Sequence, residues 1–319
     1  MSGLQVEGLK KHFHVGGGFL GGEAVTVRAV ENVSLSVPEG ASVGLVGESG
    51  CGKSTVSRAI LRLVEPTEGR ITFDGIDVHA AGPRELRKLR QRMQFVFQDP
   101  YSSLNGRRTI RATLEEPLGV HGIGDRAERR SRAERIMSEV GLPADALDRY
   151  PHEFSGGQRQ RIGIARALVL EPDLVVADEP VSALDVSVQA QILKLLDDLR
   201  QRRTLSFLFV SHDLGVIRHF CDATCVMYLG HLIENGPTDA VLDRPLHPYT
   251  VLLRESSPVP DPKARLPNAK MTGEIPSPAD PPSGCPFHTR CPHVMPECQA
   301  SMPAMREVEA GRHVACHLY

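Results

Sequence analysis

One stretch, Gly47 to Thr55, constrains the fold more than any other part of this sequence. It reads Gly-Glu-Ser-Gly-Cys-Gly-Lys-Ser-Thr after the apolar run Ala41 to Val46, which fits the pattern G-x-x-x-x-G-K-[ST] following a strand. Its glycines let successive backbone N–H groups turn towards one anion, and the next helix, roughly Lys53 to Arg62, directs its positive end to the same point. The stretch therefore predicts a strand, a phosphate-binding loop and a helix.

Eight residues of this loop are candidate nucleotide ligands: Gly47, Ser49, Gly50, Cys51, Gly52, Lys53, Ser54 and Thr55. We expect Lys53 to reach the β- and γ-phosphates of ATP, Ser54 to ligate Mg²⁺ and Thr55 to add a hydroxyl contact to a phosphate. A chance glycine-rich turn is the alternative, and the strand that comes first makes it the weaker one.

Length and composition fit one α/β core with a smaller appendage. The chain has 319 residues, of which 41% are hydrophobic and 24% are charged, and its formal net charge is -2. This balance gives no indication of nucleic acid as a partner. The arginine-rich segment from Arg126 to Arg135 alternates with Glu128 and Glu134, which predicts a solvated helix face.

The sequence predicts a protein of the cytosol. No apolar run approaches the roughly eighteen residues of a spanning helix, and the first residues lack the pattern of a signal peptide. Seven cysteines in such a compartment are not expected to form a disulfide framework. Four of them crowd into the last 35 residues, which needs its own explanation.

Periodicity predicts alternating strands and helices. Strands are predicted at Leu4–Leu9, Val27–Val30, Val33–Val37, Ile71–Phe73, Gln94–Phe97, Leu174–Ala177 and Leu205–Val210, and helices at Pro83–Gln91, from Ser155 onwards and at Val186–Arg202. Helical spacing from Arg111 to Tyr150 predicts a helical subdomain within the α/β core. Because polar residues follow several strands, we expect a parallel sheet with ligands at its carboxyl edge.

Two irregular segments interrupt this pattern. Gly16 to Gly22 is glycine-rich and predicts a flexible loop. Eight prolines between Pro258 and Ser283 predict an extended linker.

Asp178 and Glu179 follow a predicted buried strand and suit the hydrolysis of a phosphoanhydride. Asp178 can hold Mg²⁺ through water, while Glu179 orients and deprotonates the attacking water. An acidic pair after a strand is often only a helix cap, but a phosphate loop in the same chain favours the catalytic interpretation.

Residues 1 to about 256 resemble an ATP-binding cassette (ABC) subunit, because six motifs occur in the order and approximate spacing found in that family. They are Gly47 to Thr55, Gln98, Ser155-Gly156-Gly157-Gln158, Asp178-Glu179, Ser182-Ala183-Leu184-Asp185 and His212. The resemblance implies that Gln98 contacts Mg²⁺ and relays the nucleotide state, and that His212 contacts the γ-phosphate. It implies that Ser155, Gly156, Gly157 and Gln158 act on nucleotide bound to a partner subunit, and that Asp185 crosses the dimer interface.

Two positions depart from this family's pattern. Phe154 begins the signature motif in place of the commoner leucine, which should be tolerated where apolar surface packs. The aromatic residue that stacks on adenine is not obvious, because Val25 stands at the expected distance from the phosphate loop. We favour Phe13 over Phe19 for that role.

A narrower resemblance, to the ATPase subunits of bacterial dipeptide/oligopeptide importers, spans nearly the whole chain. It rests on Gln98 to Asn105, Tyr150 to Phe154, His247-Pro248-Tyr249-Thr250 and Cys285-Pro286-Phe287-His288-Thr289-Arg290-Cys291. The resemblance implies a second paralogous ABC ATPase, two transmembrane permeases and an extracytoplasmic peptide-binding protein as partners, with no nucleic acid. It implies a peripheral position at the cytoplasmic face of the cell membrane.

The four cysteines of the tail, Cys285, Cys291, Cys298 and Cys316, suggest a ligated centre in a segment too short to build a core. Cys51 lies in the phosphate loop, and Cys221 and Cys225 are expected to pack against apolar neighbours. From spacing alone zinc is at least equal to an iron–sulfur cluster, since five, six and seventeen residues separate the four and match neither standard pattern. The importer resemblance favours a [4Fe–4S] cluster away from the ATP site, with Zn²⁺ as the alternative and four unligated surface thiols as the remaining possibility.

The predicted fold is therefore α/β, an ABC-type P-loop ATPase core with a helical subdomain and a cysteine-rich C-terminal extension. The expected domains are residues 1–256, with the helical subdomain at about 100–170, a proline-rich linker at 257–284 and the cysteine-rich region at 285–319. The leading hypothesis is the ATPase of a peptide importer. Alternatives are an importer ATPase for nickel, glutathione or another solute, a non-transport cassette protein acting on ribosomes or DNA, and a metal- or redox-sensing module.

Overall fold

The computed structural model describes residues 3–16, 25–256 and 273–319. Its strands are β1 (Gly3–Val15), β2 (Val25–Pro38), β3 (Ser42–Val46), β4 (Glu68–Phe73), β5 (Ile76–Asp77), β6 (Met93–Val96), β7 (Leu174–Asp178), β8 (Ser206–Ser211), β9 (Ala223–Tyr228), β10 (His231–Pro237), β11 (Arg306–Glu309) and β12 (Arg312–Val314). Its α-helices are α1 (Lys53–Ile60), α2 (Pro83–Arg92), α3 (Pro100–Ser103), α4 (Ile110–Val120), α5 (Arg126–Glu139), α6 (Gly156–Leu168), α7 (Val186–Arg203), α8 (Leu214–Phe220), α9 (Thr238–Asp243), α10 (Pro248–Glu255) and α11 (Pro296–Ala300). Short 3₁₀ helices occupy Ala144–Asp148 and Pro151–Glu153. Residues 17–22 of the predicted glycine-rich loop, Phe19 among them, and residues 257–272 of the predicted linker lie outside the described residues.

The chain divides into two compact units. The first comprises Met1–Leu4, Val37–Ala41 and Phe73–Val210, and the second comprises Gln5–Ser36, Ser42–Thr72 and Ser211–Tyr319. The phosphate loop belongs to the second unit, and Asp178 and Glu179 belong to the first.

The first unit is built on the parallel strands β6, β7 and β8. Leu174 of β7 pairs with Met93 of β6 on one side and with Ser206 of β8 on the other. Every residue of β7 and β8 is buried, as expected of parallel strands covered on both faces. Helices α4, α5 and α6 contact one another, and α6 also contacts β6.

The second unit holds strands in the order β11-β12-β10-β9-β3. β3 and β9 are parallel, with Val43 opposite Ala223, while β10 is antiparallel to both β9 and β12. β3 is buried at every position, which agrees with the apolar run that predicted it. β1, β2 and β4 lie in a separate sheet in the order β2-β1-β4.

β1 and β2 are longer than the sequence predicted. The two short strands predicted at Val27–Val30 and Val33–Val37 form one strand, with Asn32 between them at a φ of 54°. Asparagine tolerates this left-handed conformation, so the polar interruption does not end the strand. From Val33 onwards β2 alternates between buried and exposed residues, the pattern of a half-buried strand.

The C-terminal tail, a segment too short to build a core of its own, is ordered by packing within the second unit. Phe287 and Val314 are fully buried, and β12 pairs with β10 through Val314 and Glu234. Apolar burial and strand pairing with the rest of the second unit replace the core that the tail could not build alone.

Helix α5 confirms the solvated face predicted for the arginine-rich segment. Asp125 caps its first turn by accepting a hydrogen bond from the Glu128 N–H at 2.9 Å. Exposed pairs four residues apart, Arg132 with Glu128 and Arg130 with Glu134, support the helix. Across the three described ranges, no helix is long and apolar enough to cross a membrane.

Candidate functional site

The phosphate loop connects β3 to α1, and two of its glycines are required by close backbone approach. Gly47 has a φ of 154° and Gly52 a φ of 106°. A Cβ at Gly47 would lie 2.2 Å from the Met227 carbonyl oxygen, and a Cβ at Gly52 would lie 2.2 Å from the Ala29 carbonyl oxygen. No side chain fits at either position.

Lys53, the first residue of α1, folds back over this loop. Its ammonium group donates hydrogen bonds to the carbonyl oxygens of Gly47, at 2.7 Å, and of Glu48, at 2.9 Å. The Lys53 side chain is buried, whereas Ser49 and Gly50 at the crest of the loop are exposed. Burial raises the pKa of the Cys51 thiol, which Lys53 partly opposes. The loop therefore has an exposed crest next to a positive charge, an arrangement that suits an anion.

In the first unit, the structure brings Gln98 and Glu179 together. The Gln98 amide nitrogen donates to a Glu179 carboxylate oxygen at 3.0 Å and to the Ser182 hydroxyl at 3.5 Å. Asp178, the last residue of β7, is buried. Glu179 follows with a φ of 48°, and its N–H donates to the Val210 carbonyl at 3.0 Å. A non-glycine residue held in this conformation stores strain of the kind that clusters at functional sites.

The signature motif forms the start of α6. The Ser155 hydroxyl accepts from the Gln158 N–H at 3.4 Å, and the Gln158 side-chain oxygen accepts from the Ser155 N–H at 3.0 Å, which makes a capping box. A Cβ at Gly157 would lie 2.5 Å from Val188 Cγ1, so the start of α6 packs closely on α7. Ser155 and Gln158 are exposed. Phe154 is buried, which confirms the apolar packing expected there.

The remaining candidates stand at the ends of other elements. Asp185 is the N-cap residue of α7, and His212 directly follows β8; both are exposed. Phe13, on β1, is 36% exposed, and the Lys11 ammonium lies 4.7 Å from the centre of its ring. Its stacking on adenine stays a prediction.

The tail contacts the phosphate loop through Arg290, a contact that the sequence did not predict. The Arg290 guanidinium donates to both carboxylate oxygens of Glu48, at 2.9 and 3.2 Å. The Glu48 N–H donates to the Tyr249 hydroxyl at 2.8 Å. Sequence reasoning noted the His247-Pro248-Tyr249-Thr250 and Cys285 to Cys291 motifs without assigning them this contact. Tyr249 follows Glu48 by 201 residues and Arg290 follows it by 242, so the sequence around the loop gave no local signal.

The four tail thiols are electrostatic neighbours without a metal-binding arrangement. Burial raises the pKa of Cys285 to about 11, and negative charge at Cys298, Cys316 and Cys291 adds to the effect. Four cysteines suit a soft metal once they are deprotonated. The geometry does not, because the part of the chain that the structure describes has no group of three or more histidine, cysteine or acidic side chains able to hold a metal ion. The predicted cluster is not supported by the arrangement of these thiols.

The other cysteines pack as predicted. Cys221 and Cys225 are both buried, and burial alone raises the pKa of Cys225 to about 12. Both therefore act as small apolar side chains.

The chain is similar to known ATP-binding proteins of transporters along nearly its whole length. A family model described as ABC transporter matches residues 30–182, and one described as oligopeptide/dipeptide transporter, C-terminal region, matches residues 233–298. A protein of Brucella ovis, provisionally named a peptide import ATP-binding protein, is 52% identical over 313 residues, covering 98% of this chain and 96% of the relative. The oligopeptide transport ATP-binding protein AppF of Bacillus subtilis is 48% identical, covering 99% and 97%. The structure of the ATP-binding cassette MJ0796, dimeric and bound to ADP and Pi after hydrolysis, is 31% identical with a TM-score of 0.65, covering 74% of this chain and 98% of that one.

Proposed function

Because this chain belongs to the ABC transporter family of ATP-binding proteins, we propose that its hydrolysis of ATP powers the uptake of dipeptides or oligopeptides through separate membrane permeases. The observation that carries the proposal is likeness along nearly the full length to proteins named for peptide import. That likeness includes residues 233–298, which match the C-terminal region of oligopeptide/dipeptide transporters.

The proposed reaction uses the phosphate loop, Glu179 and His212. The phosphate loop binds the phosphates through its backbone N–H groups and the Lys53 ammonium. Glu179 accepts a proton from the attacking water, and the hydrogen bond from Gln98 fixes the orientation of its carboxylate. His212 contacts the γ-phosphate as it leaves.

A bound Mg²⁺ would neutralise charge on the phosphate oxygens. Ser54, Gln98 and Asp178 are the residues proposed to hold it. A hydroxyl, an amide oxygen and a carboxylate are the hard oxygen donors that this ion prefers, so the donor set fits.

The proposed complex contains a second, paralogous ABC ATPase. Ser155, Gly156, Gly157 and Gln158 would cover the γ-phosphate on that partner, because the start of α6 offers exposed polar groups and the positive end of a helix dipole. Asp185 would cross the same interface. Two permeases and an extracytoplasmic peptide-binding protein complete the importer, which places this subunit peripherally at the cytoplasmic face of the membrane.

Along the chain, we propose an ABC ATPase domain at residues 1–256 with a helical subdomain at about 100–170, a linker at 257–284 and a cysteine-rich extension at 285–319. We propose that Cys285, Cys291, Cys298 and Cys316 hold a [4Fe–4S] cluster once their side chains rearrange. Support comes from the proximity of the thiols, because burial and then charge at neighbouring cysteines raise the pKa of Cys285, Cys291 and Cys316. Zn²⁺ is the alternative occupant.

The extension is tested by its colour and metal content. Protein purified without oxygen should be brown with broad absorbance near about 400 nm, and Cys291→Ser should lose the colour. Cys221→Ser is the control because Cys221 lies outside the extension. Colourless protein with stoichiometric zinc and no iron would refute the cluster and support the zinc site.

The transport function is tested by uptake in the native cell. Cells lacking this chain should lose the uptake of a labelled dipeptide, and the wild-type gene should restore it while Lys53→Ala does not. The tagged chain, solubilised from membranes, should bring down two permeases and a second ATPase. Normal peptide uptake with defective nickel or glutathione uptake would reassign the solute, and ribosomes or DNA in place of permeases would refute the importer.

A further inference from the structure

Glu48 is the one acidic residue of the phosphate loop, and Arg290 of the tail neutralises it. The two hydrogen bonds between them are those of a bidentate arginine–carboxylate pair. The Arg290 side chain is 4% exposed and that of Glu48 19%, so water screens the pair little. Removing one partner of so shielded a pair leaves an uncompensated charge, here beside the residues that bind phosphate.

The backbone of Glu48 is held by the same part of the chain. Its N–H donates to the Tyr249 hydroxyl, and the Tyr249 ring packs 4.7 Å from that of Tyr228 and 5.4 Å from that of Phe287, centre to centre. Tyr249 and Phe287 are fully buried. The Tyr249 hydroxyl that accepts the loop N–H therefore belongs to a rigid aromatic cluster. One ring of that cluster, Phe287, comes from the tail.

The C-terminal hairpin supports Tyr249 from the other side. Arg312 of β12 pairs with Glu234 of β10 at 3.2 Å, both side chains being buried. Glu234 also accepts from the His247 N–H at 2.9 Å, and the His247 ring nitrogen Nδ1 accepts from the Tyr249 N–H at 3.0 Å. Hydrogen bonds thus connect the hairpin to Tyr249 without a break.

A cavity of about 310 Å³ separates the loop from the first described residues of this C-terminal segment. Residues 48–51 line one side, and Ile275, Pro276, Ser277 and Pro278 line another. The Pro278 carbonyl accepts from the Arg28 N–H of β2 at 2.9 Å, which fixes that wall in place. The tail therefore contacts the loop at Arg290, and residues 275–278 form the far wall of the cavity beside the loop.

We propose that the C-terminal region is a clamp that positions the phosphate loop for ATP, with Arg290 and Tyr249 as its positioning residues. Arg290 cancels the negative charge of Glu48, which would otherwise repel the nucleotide phosphates. Tyr249 directs the backbone at Glu48, so that the following N–H groups face the anion. The proposal rests on ATP binding by the loop and is independent of the transported solute.

The ATP affinity of the full chain tests the role of the Glu48–Arg290 charge pair. Thermal unfolding checks that each variant is folded. Arg290→Met should raise the Kd for ATP about tenfold, because it leaves the Glu48 carboxylate uncompensated. Adding Glu48→Gln to Arg290→Met should bring the Kd back to within about threefold of wild type, since no charge then remains. Arg290→Lys keeps the charge and loses the bidentate geometry, so its Kd for ATP should lie between those of wild type and Arg290→Met.

Arg306→Met is the matched control, because Arg306 is an exposed tail arginine that donates to the Tyr319 carbonyl and makes no contact with the loop. A folded Arg290→Met protein that binds ATP as tightly as wild type would overturn the clamp, and so would a double variant as weak as Arg290→Met. If wild-type protein bound no ATP, the proposed function would fail instead.

Hydrogen exchange without nucleotide tests the hydrogen bond from the Glu48 N–H to the Tyr249 hydroxyl. Tyr249→Phe keeps the aromatic packing and removes the acceptor of the Glu48 N–H, so exchange in a peptide spanning residues 47–52 should accelerate about tenfold, the equivalent of roughly one hydrogen bond. Tyr319→Phe, at an exposed tyrosine, should change nothing in that peptide. If Tyr249→Phe left exchange in the 47–52 peptide unchanged, Tyr249 would have no positioning role.

Discussion

At the scale of single residues, Glu179 combines a proposed role as general base with a backbone conformation that its chemistry does not predict. Two adjacent acidic residues after an apolar strand were enough to nominate it. Its left-handed backbone, the bond from its N–H to Val210 and the amide of Gln98 on its carboxylate could not be read from the sequence. Each depends on residues distant in the chain, whereas side-chain identity is local.

Glu179→Gln should lower ATP hydrolysis at least about a hundredfold, the usual contribution of a general base, and leave ATP binding intact. The amide keeps the size of the side chain but cannot accept the proton. Steady-state phosphate release and equilibrium binding of ATP measure the two effects. Glu171→Gln, at a largely exposed glutamate of the same unit, should hydrolyse ATP at the wild-type rate. Turnover by Glu179→Gln within a few-fold of wild type would show that another group is the base.

At the scale of elements, the start of α10 is held by a buried neutral histidine. His247 is the N-cap residue, and its ring accepts from the Tyr249 N–H. Burial lowers the pKa of His247 to about 3, well below the value near 6.5 expected in the unfolded chain. Between these values the unfolded state binds more protons than the folded state. The stability that neutral His247 confers is therefore complete above about pH 6.5 and is lost as the pH falls towards 3.

His247→Asn should remove this pH dependence, since asparagine can cap the helix without titrating. Relative to the variant, the wild-type free energy of unfolding should fall by about 1.4 kcal/mol for each pH unit below 6.5. Urea unfolding at pH 7 and pH 5 measures the difference, and His219→Asn, at an exposed histidine, should keep the wild-type slope. Equal slopes for His247→Asn and wild type would mean that His247 is not buried neutral.

The elements that the sequence predicted correctly are those with a local signal. β3, β7 and β8 are apolar runs buried at every position. Helices α5, α6 and α7 carry helical spacing, and a capping side chain begins α5 and α6. β12 was missed because its three residues, Arg312 to Val314, hold no periodicity. It is a strand because β10 and the buried carboxylate of Glu234 lie beside it, and that contact joins positions nearly 80 residues apart.

At the scale of the whole molecule, this chain carries both a complete phosphate loop and an intact signature motif. The proposed dimer can therefore be disabled on one side at a time. The motifs indicate candidate functional residues in each unit, because the family resemblance rests on identity and spacing. They could not predict the clamp, because charge pairing between Glu48 and Arg290 requires knowledge of the folded tail.

Ser155→Arg should leave ATP binding at the chain's own Lys53 unchanged and stop hydrolysis on the partner subunit. A bulky cation at the start of α6 would occupy the space required by the partner's nucleotide. Trapping of labelled ADP on each subunit of the purified complex separates the two outcomes. Loss of nucleotide from this chain itself would contradict action in trans, and a complex with two copies of this chain and no second ATPase would contradict the asymmetry.

The clamp also has a consequence for how the protein is made. Glu48 emerges from the ribosome long before its partners, since Tyr249 follows it by 201 residues and Arg290 by 242. At about 5–20 residues synthesised each second, the loop waits on the order of 10–50 s for Arg290. During that interval the nascent chain has the complete phosphate-loop sequence but lacks both groups that hold Glu48. Binding of ATP at full affinity is thereby delayed until the tail has been translated.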